Sequence, residues 1–358
     1  MKILLLTTHL NYGGISSYTV ALGRALAEAG HEVFCASSSG DMLAQVKANN
    51  VKHIHIPIRT KAELNPLVIF SLIKLLLFIR KNPVDVIHAQ TRVTQVLSFY
   101  LNRITKIPYV TTCHGFFKRN IGRQFFPCWG NKVIAISEAV ARHLQIDFYV
   151  DARKIALIPN AIDVTKFKIS DKRNDPNHKD RVVGVIARLS KIKGHKYLIE
   201  AMAQVIEEYP DARLYIFGQG KIKYQLVELT KKLNIHEQVF FLPPVSDPGT
   251  VLKDIDIFVM PSLQEGLGLS ILEAQASGLA VIASNVGGIP TIVKHDITGL
   301  LVPPCDSIAL AGAIMRIMDN KDLAIRLGIV AARNVAAEFD LKIMVKKVES
   351  VYTEVTKK

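Results

Sequence analysis

The feature that most constrains this chain is an alternation of short β-rich runs with longer helix-period segments, which stops once and then resumes. In the first half the runs lie at residues 2–8, 32–36, 51–56, 85–89, 109–113 and 132–136. Such alternation predicts a parallel sheet with helices on both faces. The polar stretch ISDKRNDPNHKD, at residues 169–180, has no apolar periodicity and is predicted to be a linker.

The alternation resumes at RVVGVIARL and continues through ARLYIFG, VFFLPPV, IFVMPS and AVIAS. We therefore expect two doubly wound, Rossmann-like α/β domains, at residues 1–168 and 181–340, facing each other across a cleft. A length of 358 residues agrees with this, because single cores seldom grow beyond about 250–300 residues. The tail is predicted to be helical, and its last helix, at about 341–358, either caps the second domain or crosses back to the first.

Positive charge is concentrated in the first half of the chain. Residues 1–170 hold 21 Lys and Arg against 9 Asp and Glu, a formal charge of +12, whereas residues 171–358 carry +2. An anionic membrane surface, nucleic acid, or mild basicity with no partner would each agree with this surplus. Because the chain has no recognised nucleic-acid-binding motif, no nucleic-acid partner is predicted.

The apolar segment LVIFSLIKLLLFI, at residues 67–79, is too short to span a bilayer and contains Lys74. The favoured interpretation is a well-buried helix packed on the sheet. The alternative is an interfacial helix with basic flanks. Those flanks are Arg59, Lys61, Arg80 and Lys81.

Cysteine spacing and the N-terminus bear on the cellular compartment. The four cysteines, at positions 35, 113, 128 and 305, lack the paired spacing of a zinc or redox motif, so we expect buried thiols in a reducing compartment. The initial apolar run ILLL is too short for a signal peptide and is predicted to be the first strand. The expected location is the cytoplasm, with peripheral attachment to the inner face of the membrane as the open alternative.

In the second domain, EGLGLSILEAQASG (residues 265–278) places a small-residue turn and a helix start after a strand. The first N–H groups of a helix lack internal partners and the helix dipole is positive there. Gly266 and Gly268 would let a phosphate approach this backbone closely. Arg188 and Lys193, in the domain's first strand-to-helix turn, would add positive charge.

Two carboxylates accompany this predicted anion site. They would repel a diphosphate unless they face hydroxyl groups, and a carboxylate can accept two hydrogen bonds from a vicinal diol. Glu273, in the second helical turn, is therefore assigned to a ribose, and Glu265, before the helix, to a second sugar. A nucleoside diphosphate sugar has this layout.

The first domain offers weaker signals. Gly13 and Gly14 precede a helix but do not form the dinucleotide fingerprint. His114 ends a strand, where ligands of parallel sheets bind, and is the preferred candidate among the histidines. His9 and His88 are its main rivals.

These motifs resemble the retaining glycosyltransferases of family 4, which have the GT-B fold. The likeness covers nearly the whole chain, and the Glu265–Glu273 spacing is its most specific part. Thr291 and Pro243 depart from the family pattern, where Glu and Gly are usual. The matching segments are NYGGISSYTVALGRAL, DVIHAQ, TCHG, VIAISEAV, IPNAID, ARLSKIKG, FGQG, PSLQEGLGLSILEAQASGLAVIAS, GGIPTIV and GLLVPP.

The resemblance implies that the second domain binds the sugar nucleotide and the first binds the acceptor. It implies that the C-terminal helix crosses back to the first domain and that no metal or other cofactor is needed. The catalytic set it implies is Arg188 and Lys193 on the diphosphate and Glu265 and His114 on the transferred sugar. The substrate-binding set is Gly13, Gly14, Gly268, Leu269 and Ser270 on the phosphates and Glu273 on the ribose.

The implied function is retaining transfer of a sugar from a UDP- or GDP-sugar to a glycan or lipid-linked acceptor, in synthesis of lipopolysaccharide or another cell-surface polysaccharide or glycolipid. The implied partners are the sugar nucleotide, this acceptor and, as an open alternative, an anionic membrane. Two rival functions are a sugar-nucleotide epimerase of similar fold and a non-catalytic sugar-nucleotide-binding protein.

Overall fold

The computed structural model describes residues 1–60, 62–63, 65–118, 122–123, 126–169 and 181–357. Most of the predicted linker, at 170–180, and the predicted flanking cation Lys61 lie outside the described residues. The chain divides into two compact units. Unit 1 comprises Met1–Ala161 and Leu341–Lys358, and unit 2 comprises Ile162–Asp340.

Unit 1 contains a seven-stranded parallel sheet in the order β3-β2-β1-β4-β5-β6-β7. Alternate residues of β1 face opposite sides of the sheet and enter two different apolar cores, Ile3 and Leu5 in one, Leu4 and Leu6 in the other. The strand order reverses between β1 and β4, where ligands of such sheets bind. The elements are β1 (Lys2–Leu6), α1 (Gly14–Glu28), β2 (Glu32–Ser37), α2 (Leu43–Ala48), β3 (Lys52–His55), α3 (Pro66–Lys81), β4 (Val86–Ala89), α4 (Arg92–Thr105), β5 (Tyr109–Cys113), β6 (Lys132–Ala135), α5 (Glu138–Phe148), a 3-10 turn (Ala152–Lys154) and β7 (Ile155–Leu157).

Unit 2 repeats this architecture with a six-stranded parallel sheet in the order β10-β9-β8-β11-β12-β13. Its order reverses between β8 and β11. The elements are a 3-10 turn (Val164–Lys166), β8 (Val182–Ile186), a 3-10 turn (Lys191–Lys193), α6 (His195–Glu208), β9 (Arg213–Phe217), α7 (Lys223–Lys232), β10 (Val239–Leu242), α8 (Gly249–Leu252), β11 (Ile257–Met260), α9 (Leu269–Ala276), β12 (Ala280–Ser284), α10 (Ile289–Ile292), β13 (Leu300–Val302), α11 (Ser307–Met318) and α12 (Lys321–Glu338).

The C-terminal helix α13 (Leu341–Thr356) belongs to unit 1 and packs against α1. Its apolar face joins the core that contains β1, and the buried Tyr352 hydroxyl lies 2.6 Å from His88 Nδ1. At its exposed edge, Glu349 contacts His31 at 2.7 Å and Glu354 contacts Lys132 at 2.8 Å. The predicted fold class, with a C-terminal helix that returns to the first domain, is confirmed.

Helix α3 corrects one expectation. Val68, Ser71, Leu75 and Ile79 face inward and are buried, but the outward-facing Ile69, Phe70, Ile73 and Leu77 are exposed. The prediction of a well-buried helix is therefore wrong for its outer side, because α3 lies in the outer layer of unit 1 and only one of its faces meets the sheet. None of the helices in the described part of the chain combines the length and apolarity needed to cross a bilayer.

The cysteines correct a second expectation. Cys35, Cys113 and Cys128 are buried, as predicted, but Cys305 is exposed. Cys305 lies in the turn between β13 and α11 and has a left-handed backbone, with φ of 62°. A turn that leads to a surface helix does not bury its side chains, so the prediction of a buried thiol at Cys305 is wrong.

Candidate functional site

In unit 2 a glycine joins the turn after β8 to the end of β11. Gly194 has φ of 68°, and a Cβ at this position would lie 1.8 Å from the carbonyl oxygen of Pro261. Only glycine allows this approach. As a result, the turn that carries Arg188 and Lys193 lies directly beside the segment that carries Glu265, at the point where the strand order reverses.

Lys193 and Glu265 form an ion pair through Nζ and Oε2. Their side chains are only 20 % and 15 % exposed, so this pair is weakly screened by solvent. The Ser262 hydroxyl donates to the same Glu265 oxygen at 3.4 Å, and the N–H of Gly288 donates to the Glu265 carbonyl at 2.9 Å. Glu265 is thus held by groups that follow three different strands. Arg188 is exposed two residues after β8.

Helix α9 starts beside this ion pair. Gly268 precedes it with φ of 105°, and a Cβ there would lie 2.9 Å from Ile271 Cδ1. The first-turn N–H groups, which include those of Leu269 and Ser270, have no acceptor within the helix. The positive end of the helix dipole therefore lies near Lys193, and this part of unit 2 can hold an anion.

Glu273, in the next turn of α9, has an unusual titration. Burial raises the pKa of its carboxyl to about 7, and repulsion from Asp247 adds to this shift. Asp247 lies in the loop between β10 and α8, where it accepts a hydrogen bond from the N–H of Gly249 at 3.2 Å. Asp247 was not predicted, because an exposed aspartate in a loop carries no sequence signal of a distant neighbour.

In unit 1, Gly13 and Gly14 lie between β1 and α1. Gly13 has φ of 154°, which favours glycine, and it precedes the first residue of the helix. A Cβ at either position would meet no atom within 4 Å among the described residues. The surface beside this turn is therefore open to an approaching group.

His114 follows β5 and is partly buried. Its Nε2 lies 2.9 Å from Gln90 Oε1, and its ring packs edge-on to Tyr18 with centroids 4.8 Å apart. Burial lowers the pKa of His114 to about 3, so the imidazole is neutral near pH 7. A neutral ring can donate or accept a hydrogen bond but carries no charge for a diphosphate.

Gln90 is a residue that the sequence analysis missed. It follows β4 at the strand-order reversal, is 2 % exposed, and its Nε2 has no hydrogen-bond partner among the described residues. Its only sequence signal was its place at the end of the DVIHAQ segment. Gln90 orients the His114 ring by occupying one of the two ring nitrogens.

The rival histidines differ from His114. His88 is fully buried, and both of its ring nitrogens have partners, the Tyr352 hydroxyl at 2.6 Å and the Thr112 hydroxyl at 2.7 Å. It is therefore a structural histidine. His9 is exposed, and its Nδ1 accepts the N–H of Asn11 at 3.3 Å.

Two family models match successive parts of the chain. The model for "Glycosyltransferase Family 4" matches residues 12–166, and that for "Glycosyl transferases group 1" matches residues 166–333. The chain belongs to this glycosyltransferase family. The resemblance noted from the sequence motifs is thus confirmed, and the matched regions contain all of the predicted site residues.

Individual glycosyltransferases show similarity over most of the chain. The UDP-Gal:alpha-D-GlcNAc-diphosphoundecaprenol alpha-1,3-galactosyltransferase of Escherichia coli is 28 % identical over 308 residues, which are 79 % of each chain. The N-acetyl-alpha-D-glucosaminyl L-malate synthase of Bacillus anthracis is 24 % identical over 368 residues, covering 98 % of this chain and 96 % of the relative.

Solved structures show the shared fold. HepE from Anabaena, in complex with UDP and glucose, has a TM-score of 0.86 and 22 % identity over 99 % of both chains. Sucrose-phosphate synthase from Thermosynechococcus elongatus has a TM-score of 0.86 and 23 % identity, covering 99 % of this chain and 98 % of the other. The protein therefore has the GT-B fold.

Proposed function

We propose that the protein is a retaining glycosyltransferase that moves a sugar from a nucleoside diphosphate sugar to a glycan or lipid-linked acceptor. The observation that carries this proposal is the contact between Lys193 and Glu265 beside the N-terminus of α9. A cation, an anion and a row of N–H groups meet at one point, which suits a ligand with a diphosphate and sugar hydroxyls. A site lined only by unpaired carboxylates would repel the diphosphate of such a ligand.

The reaction breaks the bond between the sugar's anomeric carbon and a diphosphate oxygen. Negative charge grows on the leaving diphosphate, and we assign its stabilisation to Lys193, Arg188 and the N–H groups of Gly268, Leu269 and Ser270. Positive charge grows on the sugar ring, and we assign its stabilisation to Glu265. In the free protein Lys193 and Glu265 pair with each other. Donor binding therefore replaces this ion pair by a contact of Lys193 with phosphate and a contact of Glu265 with the sugar.

Retention follows in this proposal if the acceptor oxygen approaches from the face that the diphosphate leaves. The acceptor oxygen bonds to the anomeric carbon, and its proton passes to a diphosphate oxygen, so no side chain is assigned as general base. The neutral His114 ring accepts one hydrogen bond from the transferred sugar at its other nitrogen, Nδ1, and the backbone at Gly13 and Gly14 contacts the diphosphate. Glu273 accepts hydrogen bonds from the ribose.

Charge and relatives favour a lipid-linked acceptor. Unit 1 contains 24 Lys and Arg against 10 Asp and Glu, a formal charge of +14, whereas unit 2 contains 21 of each. The name of the E. coli relative describes transfer to a sugar on diphosphoundecaprenol. We infer a similar role in the synthesis of a cell-surface polysaccharide or glycolipid, at the inner face of the cytoplasmic membrane.

The deciding experiment measures release of nucleoside diphosphate and the anomeric configuration of the product. A thermal-shift screen of UDP- and GDP-sugars first selects the donor, since ligand at 100 times its Kd adds roughly 2.7 kcal/mol of stability. Transfer to a lipid-linked acceptor should persist in EDTA and give the donor's anomer. Inversion would refute retention, and loss of turnover on chelation, restored by magnesium or manganese, would refute independence from metal.

Variants then test the assigned roles. Glu265→Gln should nearly abolish transfer while it leaves nucleoside diphosphate affinity almost unchanged. Lys193→Ala should lower kcat/KM roughly 10- to 100-fold, because a charged hydrogen bond is worth about 1.5–3 kcal/mol. The matched control is Lys196→Ala: the Lys196 side chain is 62 % exposed and its ammonium pairs with Glu200 at 3.6 Å. Nucleotide binding with no release in the presence of any acceptor would favour a binding protein, and acceptor-independent change of the sugar would favour an epimerase.

A further inference from the structure

Helix α3 presents large apolar side chains to solvent on one side. Ile69, Phe70, Ile73 and Leu77 are between 50 % and 62 % exposed. Their spacing of three, four and seven or eight residues places them on one face of the helix. The solvent-facing side of such a helix is ordinarily polar, because the opposite face already supplies the contacts with the sheet.

Helix α4 extends this surface. It packs beside α3 on the same face of the sheet, and both helices contribute to one apolar core. On its outer side Tyr100 is 38 % exposed and Ile104 is 58 % exposed. We call these six exposed side chains of α3 and α4 the α3–α4 surface. Clusters of large exposed apolar side chains on neighbouring helices mark interaction sites in soluble proteins.

The charged side chains within α3 and α4 are all cations. Neither α3 nor α4 contains an Asp or Glu, and Glu63, which precedes α3, is paired with Arg92 at 2.8 Å. The unit as a whole carries a formal charge of +14. The exposed cations in or directly after the two helices are Lys74, Arg80, Lys81, Arg103 and Lys106.

We propose that the α3–α4 surface docks on an anionic lipid bilayer, with α3 and α4 lying in the plane of the interface. The apolar side chains enter the boundary between head groups and acyl chains, and the cations contact anionic head groups. A second copy of the chain is a poorer occupant, since a two-fold interface would bring these cations against each other. This inference extends the proposed function, because a lipid-linked acceptor resides in such a bilayer.

The test is co-sedimentation of the full-length protein with vesicles, in the absence of donor and acceptor. Vesicles of phosphatidylcholine alone are compared with vesicles that also contain phosphatidylglycerol, at about 0.1 M and about 1 M salt, where the Debye length falls from about 10 Å to about 3 Å. We expect binding to the anionic vesicles at low salt and release at high salt.

Two triple variants separate the two contributions. Lys74→Gln with Arg80→Gln and Lys81→Gln should weaken partition on the order of 100-fold, from about fivefold for each charge. Ile69→Ser with Ile73→Ser and Leu77→Ser should weaken it at both salt concentrations. The control removes three exposed unit 2 charges, Lys223, Lys232 and Lys253, each changed to Gln, and should bind as the wild type does.

A fluorescent side chain introduced by a single substitution tests the proposal even if a triple variant folds poorly. The tryptophan of Phe70→Trp should shift to shorter emission wavelength on anionic vesicles, whereas that of Tyr224→Trp, at a 76 % exposed site in unit 2, should not. Three results would overturn the proposal: a protein that stays in the supernatant at low salt, an equal loss of binding in the control, or a solution dimer that the apolar variant dissociates. Because no sugar is present, each result is independent of the proposed transferase reaction.

Discussion

At the scale of single residues, Gly14 gives a test that separates ligand contact from folding. A Cβ at Gly14 would meet no atom within 4 Å among the described residues, so Gly14→Ala should leave the free energy of unfolding within about 0.5 kcal/mol of the wild type. If the backbone there contacts the diphosphate, the rate of transfer should nevertheless fall at least tenfold. Each factor of ten corresponds to about 1.4 kcal/mol of lost interaction free energy. Thermal unfolding and kcat/KM are measured on the same preparation.

The control for this variant is Gly312→Ala, in helix α11, where a Cβ also meets no described atom within 4 Å. It should raise stability by roughly 0.5–1 kcal/mol, as expected for a helical glycine, and leave transfer unchanged. Unchanged transfer in Gly14→Ala would show that the assignment of this turn to the diphosphate is wrong.

Glu273 gives a second test at this scale, through pH. Burial raises the pKa of Glu273 from 4.5 to about 7, so between these values the folded protein holds a proton that the unfolded chain has released. The stability that the protonated Glu273 carboxyl gives to the folded state is fully present below pH 4.5, and it is lost as pH rises through about 7. Glu273→Gln cannot ionise, and should therefore be more stable than the wild type at pH 8, by on the order of 1–3 kcal/mol. Because the Glu273 side chain is partly exposed, we expect a difference in stability near the lower end of this range.

Urea unfolding at pH 5 and pH 8 measures this difference. The two proteins should differ little at pH 5 and clearly at pH 8. Glu265→Gln is the matched control: its carboxylate is already paired with Lys193, so the substitution should lower stability at both values. An equal effect of Glu273→Gln at both pH values would contradict the raised pKa.

At the scale of elements, the predicted strands agree with the observed ones to within three residues at each end. Most of them are continuous apolar runs buried on both faces of the sheet, which gives a strong local signal, whereas β3 and β10 are partly exposed. The two strands that were not predicted, β7 (Ile155–Leu157) and β13 (Leu300–Val302), have three residues each, and each forms one of the two edges of its sheet. So few residues at an edge, covered by fewer neighbours, carry too little apolar pattern to be recognised.

The outer face of α3 could not be predicted, for a related reason. Its sequence is apolar on nearly every side, so the pattern identified a helix but not the face that the sheet covers. Motifs did locate the candidate site residues at the carboxyl ends of strands. The contacts among them, such as Lys193 with Glu265 and His114 with Gln90, join positions 72 and 24 residues apart and become visible only in the fold.

At the scale of the whole molecule, α13 returns to unit 1, where it contributes apolar side chains to the core and adds to the positive charge. Tyr352 OH lies 2.6 Å from His88 Nδ1, and His88 Nε2 lies 2.7 Å from the Thr112 hydroxyl, so the C-terminal helix is hydrogen-bonded to the central strands β4 and β5. Burial lowers the pKa of His88 to about 3, and the ring is therefore neutral at working pH. Both of its nitrogens need a partner, since all three side chains are buried.

Tyr352→Phe should therefore destabilise unit 1 and spare unit 2. Without the hydroxyl, one buried nitrogen of His88 has no partner, at a cost of about 1–3 kcal/mol. Hydrogen exchange should become faster for amides of β4, β5 and α13 and stay unchanged in unit 2, where nucleoside diphosphate affinity should also be preserved. The control is Tyr224→Phe, at an exposed tyrosine of unit 2, which should alter neither exchange nor melting. Faster exchange throughout unit 2 would show that the two units do not unfold separately, and no change at β4 and β5 would show that the hydrogen bond to His88 does not hold the C-terminal helix.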